Sequence, residues 1–234
     1  MRRRCSTILP VSIADRIGLT RKITRPRLEA FLAAHASPGL TLDIGSGNAP
    51  YRAHFPNCRT LDAKERPGFP LDYVADAHDL RIIPDSTFDV VLATEVLEHL
   101  HSPHQAIAEF RRVLKPGGTL LLTTRFVFPL HESPVDYFRY TKYGLRHLLR
   151  EFEVVELRDE AGTIETLAVL YQRIGFQCDT LGLRPFKVFW FLLAKLTLLF
   201  RGALSKEYSD IHHSSPESNI LCSGYYVAAR KPGL

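Results

Sequence analysis

The chain has 234 residues, 45% of them hydrophobic and 24% charged, with a net charge of +5. That length supports one sizeable core with a lobe or insertion. The four cysteines, Cys5, Cys58, Cys178 and Cys222, show no C-x-x-C spacing, which argues against a zinc site or a disulfide framework and fits a reducing, cytoplasmic compartment.

In chain order, residues 1–25 read as a basic arm. Up to residue 27, Arg2, Arg3, Arg4, Arg16, Arg21, Lys22, Arg25 and Arg27 face Asp15 alone. Such an arm meets phosphate or an anionic membrane surface, or is simply solvated. Its start imitates a signal peptide, with Ser12 and Ala14 small where cleavage would fall. Pro10 interrupts the short apolar stretch and argues against processing. Residues 26–36 read as a helix: Pro26 suits the first turn, Leu28, Phe31 and Leu32 recur at helical spacing, and Gly39 is a stop. A strand, Leu40–Ile44, runs into a glycine loop. Further strands are expected ending near Leu61-Asp62, over 72–76, over 88–93, which is apolar almost throughout, and over 119–124 after a K-P-G-G turn. Helical segments separate or follow them, notably Pro103–Leu114. Alternating strands and helices mean a doubly wound parallel sheet with helices on both faces. Phe152–Leu157 and Gly224–Ala229 are further strands, the last expected antiparallel at the edge.

The glycine loop, L-T-L-D-I-G-S-G-N-A-P-Y-R at 40–52, lies where such sheets bind ligands. Glycine admits positive φ and close approach to the main chain. A tight ligand-free turn and a dinucleotide site compete as readings. A G-x-G-x-x-G pattern would require glycine at Pro50, and no P-loop lysine follows. Asp43 favours a ligand with positive charge or with hydroxyl and ammonium donors. Asp62, 19 residues on, can accept both hydroxyls of a ribose. Asp76 can accept from the exocyclic amine of adenine. Three acids at the ends of three successive strands are far more specific than two glycines. Taken singly, each is more often a helix cap or a surface residue.

D-I-G-S-G-N-A-P-Y, L-D-A, A-D-A-H-D-L, F-D-V-V-L-A-T-E-V-L-E-H-L and R-R-V-L-K-P-G-G-T-L-L-L-T-T together resemble the successive motifs of class I S-adenosylmethionine-dependent methyltransferases of the type 11 subfamily. The resemblance covers roughly 26–157 and returns in G-Y-Y-V-A-A-R-K-P. It implies a Rossmann-like sheet of about seven strands with the last antiparallel. It puts Asp43, Gly45, Ser46 and Gly47 near the methionine part of S-adenosylmethionine, Asp62 at the ribose, and Asp76 with Ala77 at the adenine. It sets Thr94 and Glu95 on the pocket floor. The family's third glycine is Ala49 here. Tyr51 either covers the loop or packs into the core. The methyltransferase domain is then 26–158 with 221–232, and residues 159–220 form a helical, apolar insertion.

Methyl transfer from a sulfonium needs alignment and exclusion of water, and a base only where the acceptor loses a proton. No metal is required in principle. The run R-F-V-F-P-L-H-E-S-P-V-D-Y-F-R-Y-T at 125–141 is too dense in polar and aromatic groups for a solvated linker. Similar segments lie over the active site in relatives. His131 is the candidate base, Asp136 orients it or the acceptor, and Tyr137, Arg139 and Tyr140 shape the acceptor pocket. The competing reading pairs Asp136 with Arg139 structurally and caps a helix beginning near Lys142. His99 is a rival histidine, expected on a helix behind the pocket.

Residues 186–200, F-K-V-F-W-F-L-L-A-K-L-T-L-L-F, would span about 22 Å as a helix, short of a hydrocarbon core of ~30 Å. They form a buried helix, line an apolar acceptor pocket, or lie in a membrane interface, with contact through 186–201. The expected function is methyl transfer to a small-molecule or lipid-linked acceptor. A non-catalytic cofactor-binding module and a nicotinamide oxidoreductase are the alternatives. T-E-V-L-E at 94–98, in place of an N-P-P-Y-type stretch, disfavours nucleic acid as acceptor.

Overall fold

In a computed structural model of the chain, residues 20–203 and 221–233 are described. The basic arm up to residue 19, Cys5, Pro10, Ser12 and Ala14, and the later part of the insertion, 204–220, lie outside the described residues. Seven strands form one sheet: β1 (Thr41–Ile44), β2 (Cys58–Asp62), β3 (Tyr73–Val74), β4 (Phe88–Thr94), β5 (Leu114–Arg125), β6 (Glu153–Asp159) and β7 (Gly224–Arg230). Their order is β3-β2-β1-β4-β5-β7-β6. Strands β1 to β5 pair in parallel, and β7 runs antiparallel between β5 and β6. The expected doubly wound sheet and antiparallel last strand are both present, but the last strand lies inside the sheet and not at its edge: β7 pairs with β5 on one side and β6 on the other, and β6 takes the edge. The order reverses between β1 and β4, so the loop after β1 sits at the switch point.

Period-two alternation sorts the side chains of the central strands onto two faces. Val91 and Ala93 of β4, Leu120 and Leu122 of β5, and Val227 and Ala229 of β7 pack on one face. There they meet α2 (Pro103–Val113) and α3 (Lys142–Leu148) through Ala106, Phe110 and Leu145. Val90, Leu92, Leu121, Tyr226 and Ala228 pack on the other, against Phe31 and Leu32 of α1 (Arg25–Ala34). Both faces are covered, which is why β4 reads as an apolar run broken only by Asp89 before Thr94.

Two local expectations differ. The connections β1–β2, β2–β3 and β3–β4 contain turns and no regular helix. After β1, Pro50 and Pro56 interrupt any helix, and Ala49 turns to φ +49. Tyr51 and Phe55 fold inward and cover the sheet beside α1. Tyr51 is therefore a core residue as well as a neighbour of the loop. K-P-G-G is not a turn between elements either, since β5 runs through it. The register passes from Phe88↔Leu114 to Val90↔Thr119, a bulge centred on Gly117 at φ +77. Hydrogen bonds from Gly117 N to Lys231 O (3.0 Å) and from Lys231 N to Gly118 O (2.9 Å) fasten it to the chain after β7.

Between β6 and β7 the chain makes a helical hairpin, α4 (Thr163–Thr180) and α5 (Arg184–Leu199), turning at Gly182, φ +71. Glu165 starts α4 by accepting from Gly162 N at 3.1 Å. Gln172 accepts from Ile23 N and donates to Arg21 O, docking the segment before α1 on α4. Gly175 lets the Phe191 ring approach, since an added Cβ would lie 3.2 Å from it.

A Cβ at Gly224 would stand 2.4 Å from Thr124 O across the β5–β7 ladder. Gly224→Ala should therefore cost about 1–3 kcal/mol in urea unfolding. Gly202→Ala, with nothing within 4 Å of its Cβ, should stay within about 0.5 kcal/mol of the parent. Equal losses from the two would contradict this account of the ladder.

Candidate functional site

Gly45 leaves β1 at φ +66 and Gly47 follows at φ +55, left-handed conformations open to glycine at little cost. A Cβ on Gly45 would lie 2.6 Å from Val96 Cγ2. The group that excludes a side chain here is thus Val96, just beyond β4. Ala49 keeps a left-handed backbone, φ +49, at the position where the resemblance noted above expects glycine. The loop shape survives the substitution at the cost of some local strain.

Two cavities meet at Gly45 and Glu95. The larger, about 450 Å³, lies beyond the ends of β1, β2 and β3, and Asp62, Asp76, Ala77, Val96, His99 and Tyr137 are among its lining residues. The smaller, about 270 Å³, is lined by Ser46, Tyr51, Thr94, Arg125 and Glu160 among others. Gly45, Asp62, Asp76, Ala77, Glu95 and Tyr137 of the expected set thus face the larger cavity, and Ser46 and Thr94 face the smaller. Asp43 and Gly47 line neither. Asp43 lies beneath the loop, and Gly47 backs onto the Arg66 guanidinium, 3.5 Å from where its Cβ would be.

The acids differ in how they are held. Asp43 is 1% exposed and its Oδ1 has no hydrogen-bond partner. Burial pushes its pKa up to about 7; Arg52 opposes that shift and Asp62 adds to it. Ser46 Oγ is likewise buried and unpartnered. Asp62 Oδ1 accepts from Ala63 N at 2.8 Å. Asp76 Oδ1 accepts from His78 N (2.9 Å) and contacts its Nδ1 (2.5 Å). The His78 backbone bond leads in holding Asp76 below the usual carboxylate range.

A buried ion cluster underlies the smaller cavity. Arg125 contacts Glu95 and donates to Glu160 Oε2 at 2.6 Å. Thr123 Oγ1 donates to Glu95, and Ser223 and Tyr226 hydroxyls donate to Glu160. Burial alone would lower the Arg125 pKa. The carboxylates outweigh it and hold the guanidinium above its ordinary value. Arg125 and Glu160 were not singled out from sequence. Arg125 shows as a charge closing the apolar run of β5, whereas Glu160 follows a strand already rich in charge, E-V-V-E-L-R-D, and carries no comparable signal.

The segment 126–141 is clamped over the short 3₁₀ turn Leu97–His99. Tyr137 N and Phe138 N donate to Glu98 O, and the Tyr140 hydroxyl donates to Leu97 O. His131, Asp136, Arg139 and Tyr140 line neither cavity. Asp136 receives both Arg139 terminal nitrogens at 2.6 Å and the His131 N–H at 2.9 Å. The Arg139 bonds hold its carboxyl far below the usual range. The structural Asp136–Arg139 pair therefore exists, while the cap of α3 is Thr141, whose Oγ1 accepts from Gly144 N at 3.1 Å. Burial lowers the His131 pKa. His99 corrects its expectation: it faces the larger cavity rather than lying behind it.

Residues 42–122 match the type 11 family model described as a methyltransferase domain. Human thiol S-methyltransferase TMT1B is 34% identical over 96 residues, covering 34% of this chain and 39% of that protein. The ubiquinone biosynthesis O-methyltransferase of Roseobacter denitrificans is 33% identical over 86 residues, covering 37% and 32%. The chain spans roughly a third to a half of the length of the curated relatives it matches. The crystal structure of Burkholderia thailandensis 1,6-didemethyltoxoflavin-N1-methyltransferase, with its namesake ligand and S-adenosylhomocysteine bound, superposes with a TM-score of 0.55. Its identity is 17%, over 93% of this chain and 82% of that one. That likeness shows the fold.

The raised Asp43 pKa has a stability consequence. The unfolded chain ionises this acid near 3.8 and the folded chain near 7, so stability falls as pH rises between these values and stays reduced above them. Asp43→Asn should match the parent in thermal unfolding at pH 4 and exceed it by a few kcal/mol, on the order of the full shift, at pH 8. A difference that does not grow with pH would refute the buried-charge account.

Proposed function

We propose that this chain, whose residues 42–122 form a type 11 methyltransferase domain, holds S-adenosylmethionine across its two adjoining cavities and transfers the methyl group to a small acceptor. The observation that carries this reading is the pair of acids, Asp62 and Asp76, facing one cavity of about 450 Å³ at the carboxyl edge of the sheet. The residues fit the group. Asp62 would take ribose hydroxyls, and Asp76 with Ala77 would meet the adenine. Gly45, Ser46 and Gly47, with the unpartnered Ser46 Oγ, would hold the methionine part above Asp43, and Thr94 and Glu95 would close the floor. When bound, S-adenosylmethionine supplies a methyl group already made electrophilic by its sulfonium.

The chain's own work is orientation and water exclusion. The clamped segment 126–141 closes over Leu97–His99, and Tyr137 extends it to the cavity rim. Arg139, paired with Asp136, and Tyr140, bonded to Leu97 O, hold that segment's shape on the acceptor side. For an acceptor that loses a proton, His131 is the candidate base: its lowered pKa keeps it neutral near pH 7, and Asp136 lies 3.3 Å from its Nδ1. His99 stands between it and the cavity. The domain comprises 26–158 and 221–232, and the insertion 159–220 carries acceptor choice.

Ligand-induced stabilisation separates this reading from the alternatives. S-adenosylmethionine at a hundred times its Kd should stabilise the full chain by about 2.7 kcal/mol. NAD should give no comparable shift. Asp62→Asn should weaken S-adenosylmethionine binding by roughly ten- to a hundredfold, the loss of a charge-assisted hydrogen bond. A larger response to NAD would sink the proposal. Tight binding with no labelled methyl entering any fraction of a cell extract would leave only the non-catalytic module.

The outer face of α5 favours an acceptor met at a lipid surface. Phe189, Leu192, Leu196 and Leu199 are exposed at helical spacing, while Phe191 and Ala194 turn inward. No acid occurs between Asp179 and Glu207, where Arg184, Lys187, Lys195, Arg201 and Lys206 lie. No helix among the described residues is long and apolar enough to cross a membrane. Lys187 is paired with Asp179, which leaves Lys195 and the flanking cations; an apolar stripe with such cations suits the interface of an anionic bilayer. The full chain should co-sediment with phosphatidylserine-containing vesicles at low salt and release as salt rises. Leu192→Asp with Leu196→Asp should abolish that binding. Failure to co-sediment at low salt would remove the membrane from the proposal.

A further inference from the structure

Beneath the 3₁₀ turn, three lone-pair groups converge. A carboxylate oxygen of Glu98 and one ring nitrogen each of His99 and His131 lie within 4.8 Å of one another. Glu98 is 0% exposed. Its Oε2 accepts from Thr124 Oγ1 at 2.8 Å, while its Oε1 is buried with no hydrogen-bond partner. His131 Nε2 stands 4.0 Å from that oxygen.

His99 is oriented by what holds its other nitrogen. His99 Nδ1 lies 2.8 Å from Val135 O. A carbonyl can only accept, so Nδ1 carries the proton and Nε2 is left with a free lone pair. His131 Nδ1 lies 3.3 Å from Asp136 Oδ2 without forming a hydrogen bond and is buried without a partner, while its Nε2 is the nitrogen turned toward Glu98. The two rings meet edge to face with centroids 4.7 Å apart. Backing of a histidine by a carbonyl or a carboxylate is how metal-ligating histidines are fixed. The result is a cluster in which Glu98 Oε1 is buried without a hydrogen-bond partner and a ring nitrogen of each histidine faces it.

We propose that Glu98, His99 and His131 form a binding site for one divalent transition-metal ion at the edge of the larger cavity. Two imidazoles and one carboxylate suit zinc, manganese or iron in the divalent state and leave positions open for water or a ligand. Ligand atoms about 2.1 Å from a tetrahedral ion stand about 3.4 Å apart. Binding therefore draws the side chains slightly inward from their present spacing. The guanidinium groups nearby do not oppose it with free charge: Glu95 and Glu160 neutralise Arg125, and Asp136 neutralises Arg139. His99 also lines the larger cavity, so an open coordination position faces the space where an acceptor group would lie. This inference stands apart from the cofactor reading, since metal binding is measured without S-adenosylmethionine; with the ion on Nε2, His131 serves as a ligand and not as the base.

Asp76, His78 and His101 form the other such group among the described residues. It is the weaker candidate, because Asp76 is already bonded to His78 through both the backbone and the ring and no oxygen there is buried and orphaned.

The test is titration of chelator-treated full chain with Co²⁺, followed by its visible d–d absorption, and with Zn²⁺, followed by thermal shift. One equivalent of Co²⁺ should bring up the absorption, and Zn²⁺ should raise the unfolding midpoint. Glu98→Gln and His131→Gln should each weaken Co²⁺ binding by about a hundredfold, at the upper end of losses seen even for indirect partners. His101→Ala should leave it unchanged. His99→Gln, at a less buried position, should also weaken Co²⁺ binding, and it serves if Glu98→Gln does not fold. Absence of a one-equivalent site would overturn the proposal. So would a site that survives Glu98→Gln and is lost in His101→Ala.

Discussion

The buried guanidinium of Arg125 is the interaction on which the ligand edge depends. It stands at the end of β5 and joins Glu95, just past β4, to Glu160, just past β6. Ser223 and Tyr226, beside and within β7, complete Glu160. Three strand ends are thereby fixed relative to one another by one charge. The Phe128 ring stacks under the same guanidinium, 4.3 Å from it, and Arg173 of α4 reaches that ring at 4.8 Å. Removing one member of such a cluster leaves an uncompensated buried charge, which costs far more than an intact cluster contributes. The segment 126–141 and the inserted hairpin are consequently tied to the floor of the smaller cavity. Whatever enters that cavity meets surfaces whose spacing Arg125 sets.

Much of the scaffold was legible because local patterns carry it. The apolar runs of β4 and β5, the glycines after β1, and the acids closing β2 and β3 each report a neighbour or two along the chain. The long-range facts were not. Nothing near Gly45 in sequence announces that Val96 excludes its side chain; the two meet only because β1 and β4 are adjacent in the sheet. E-V-L-E-H-L suggests a helix that would leave His99 behind the pocket. The turn is a single 3₁₀ turn instead, and its geometry sends His99 outward and Glu98 inward. Arg125 and Glu160 lie 35 residues apart in chain order and meet only through the antiparallel insertion of β7 between their strands.

The hairpin of α4 and α5 follows from the same topology. Strand β7 must return between β5 and β6 and run antiparallel to both. The chain leaves β6 at the cavity edge and has to come back to that edge before β7 begins. An excursion that starts and ends beside the ligand site can grow there without disturbing the sheet, and its first helix is already bonded to Arg21 and Ile23 through Gln172. Only α4 carries this docking. Helix α5 packs on α4 through Phe191 and Ala194 and turns most of its remaining apolar side chains outward. An inner helix that is part of the fold and an outer one that is not fully covered by it divide structural from contact duties.

Two buried carboxylates stand out against this framework. Asp43 lies under the glycine loop and Glu98 under the 3₁₀ turn, each with one oxygen unpartnered. Burial raises the pKa of both, that of Glu98 to about 8 with Glu95 adding to the effect. Their neighbours Leu42, Ile44 and Leu97 are fully apolar and buried, so a sheet selected for stability alone would carry apolar side chains at 43 and 98 as well. Buried charge without full hydrogen bonding destabilises the folded state. What sets these two positions apart is location. Asp43 is two residues before Gly45, where the cavities meet, and Glu98 is adjacent to His99, on the wall of the larger one. The destabilising groups lie beneath the two walls of one ligand site, where a bound cation or donor would complete them. Elsewhere among the described residues, two apolar clusters close the faces of the sheet with ordinary packing.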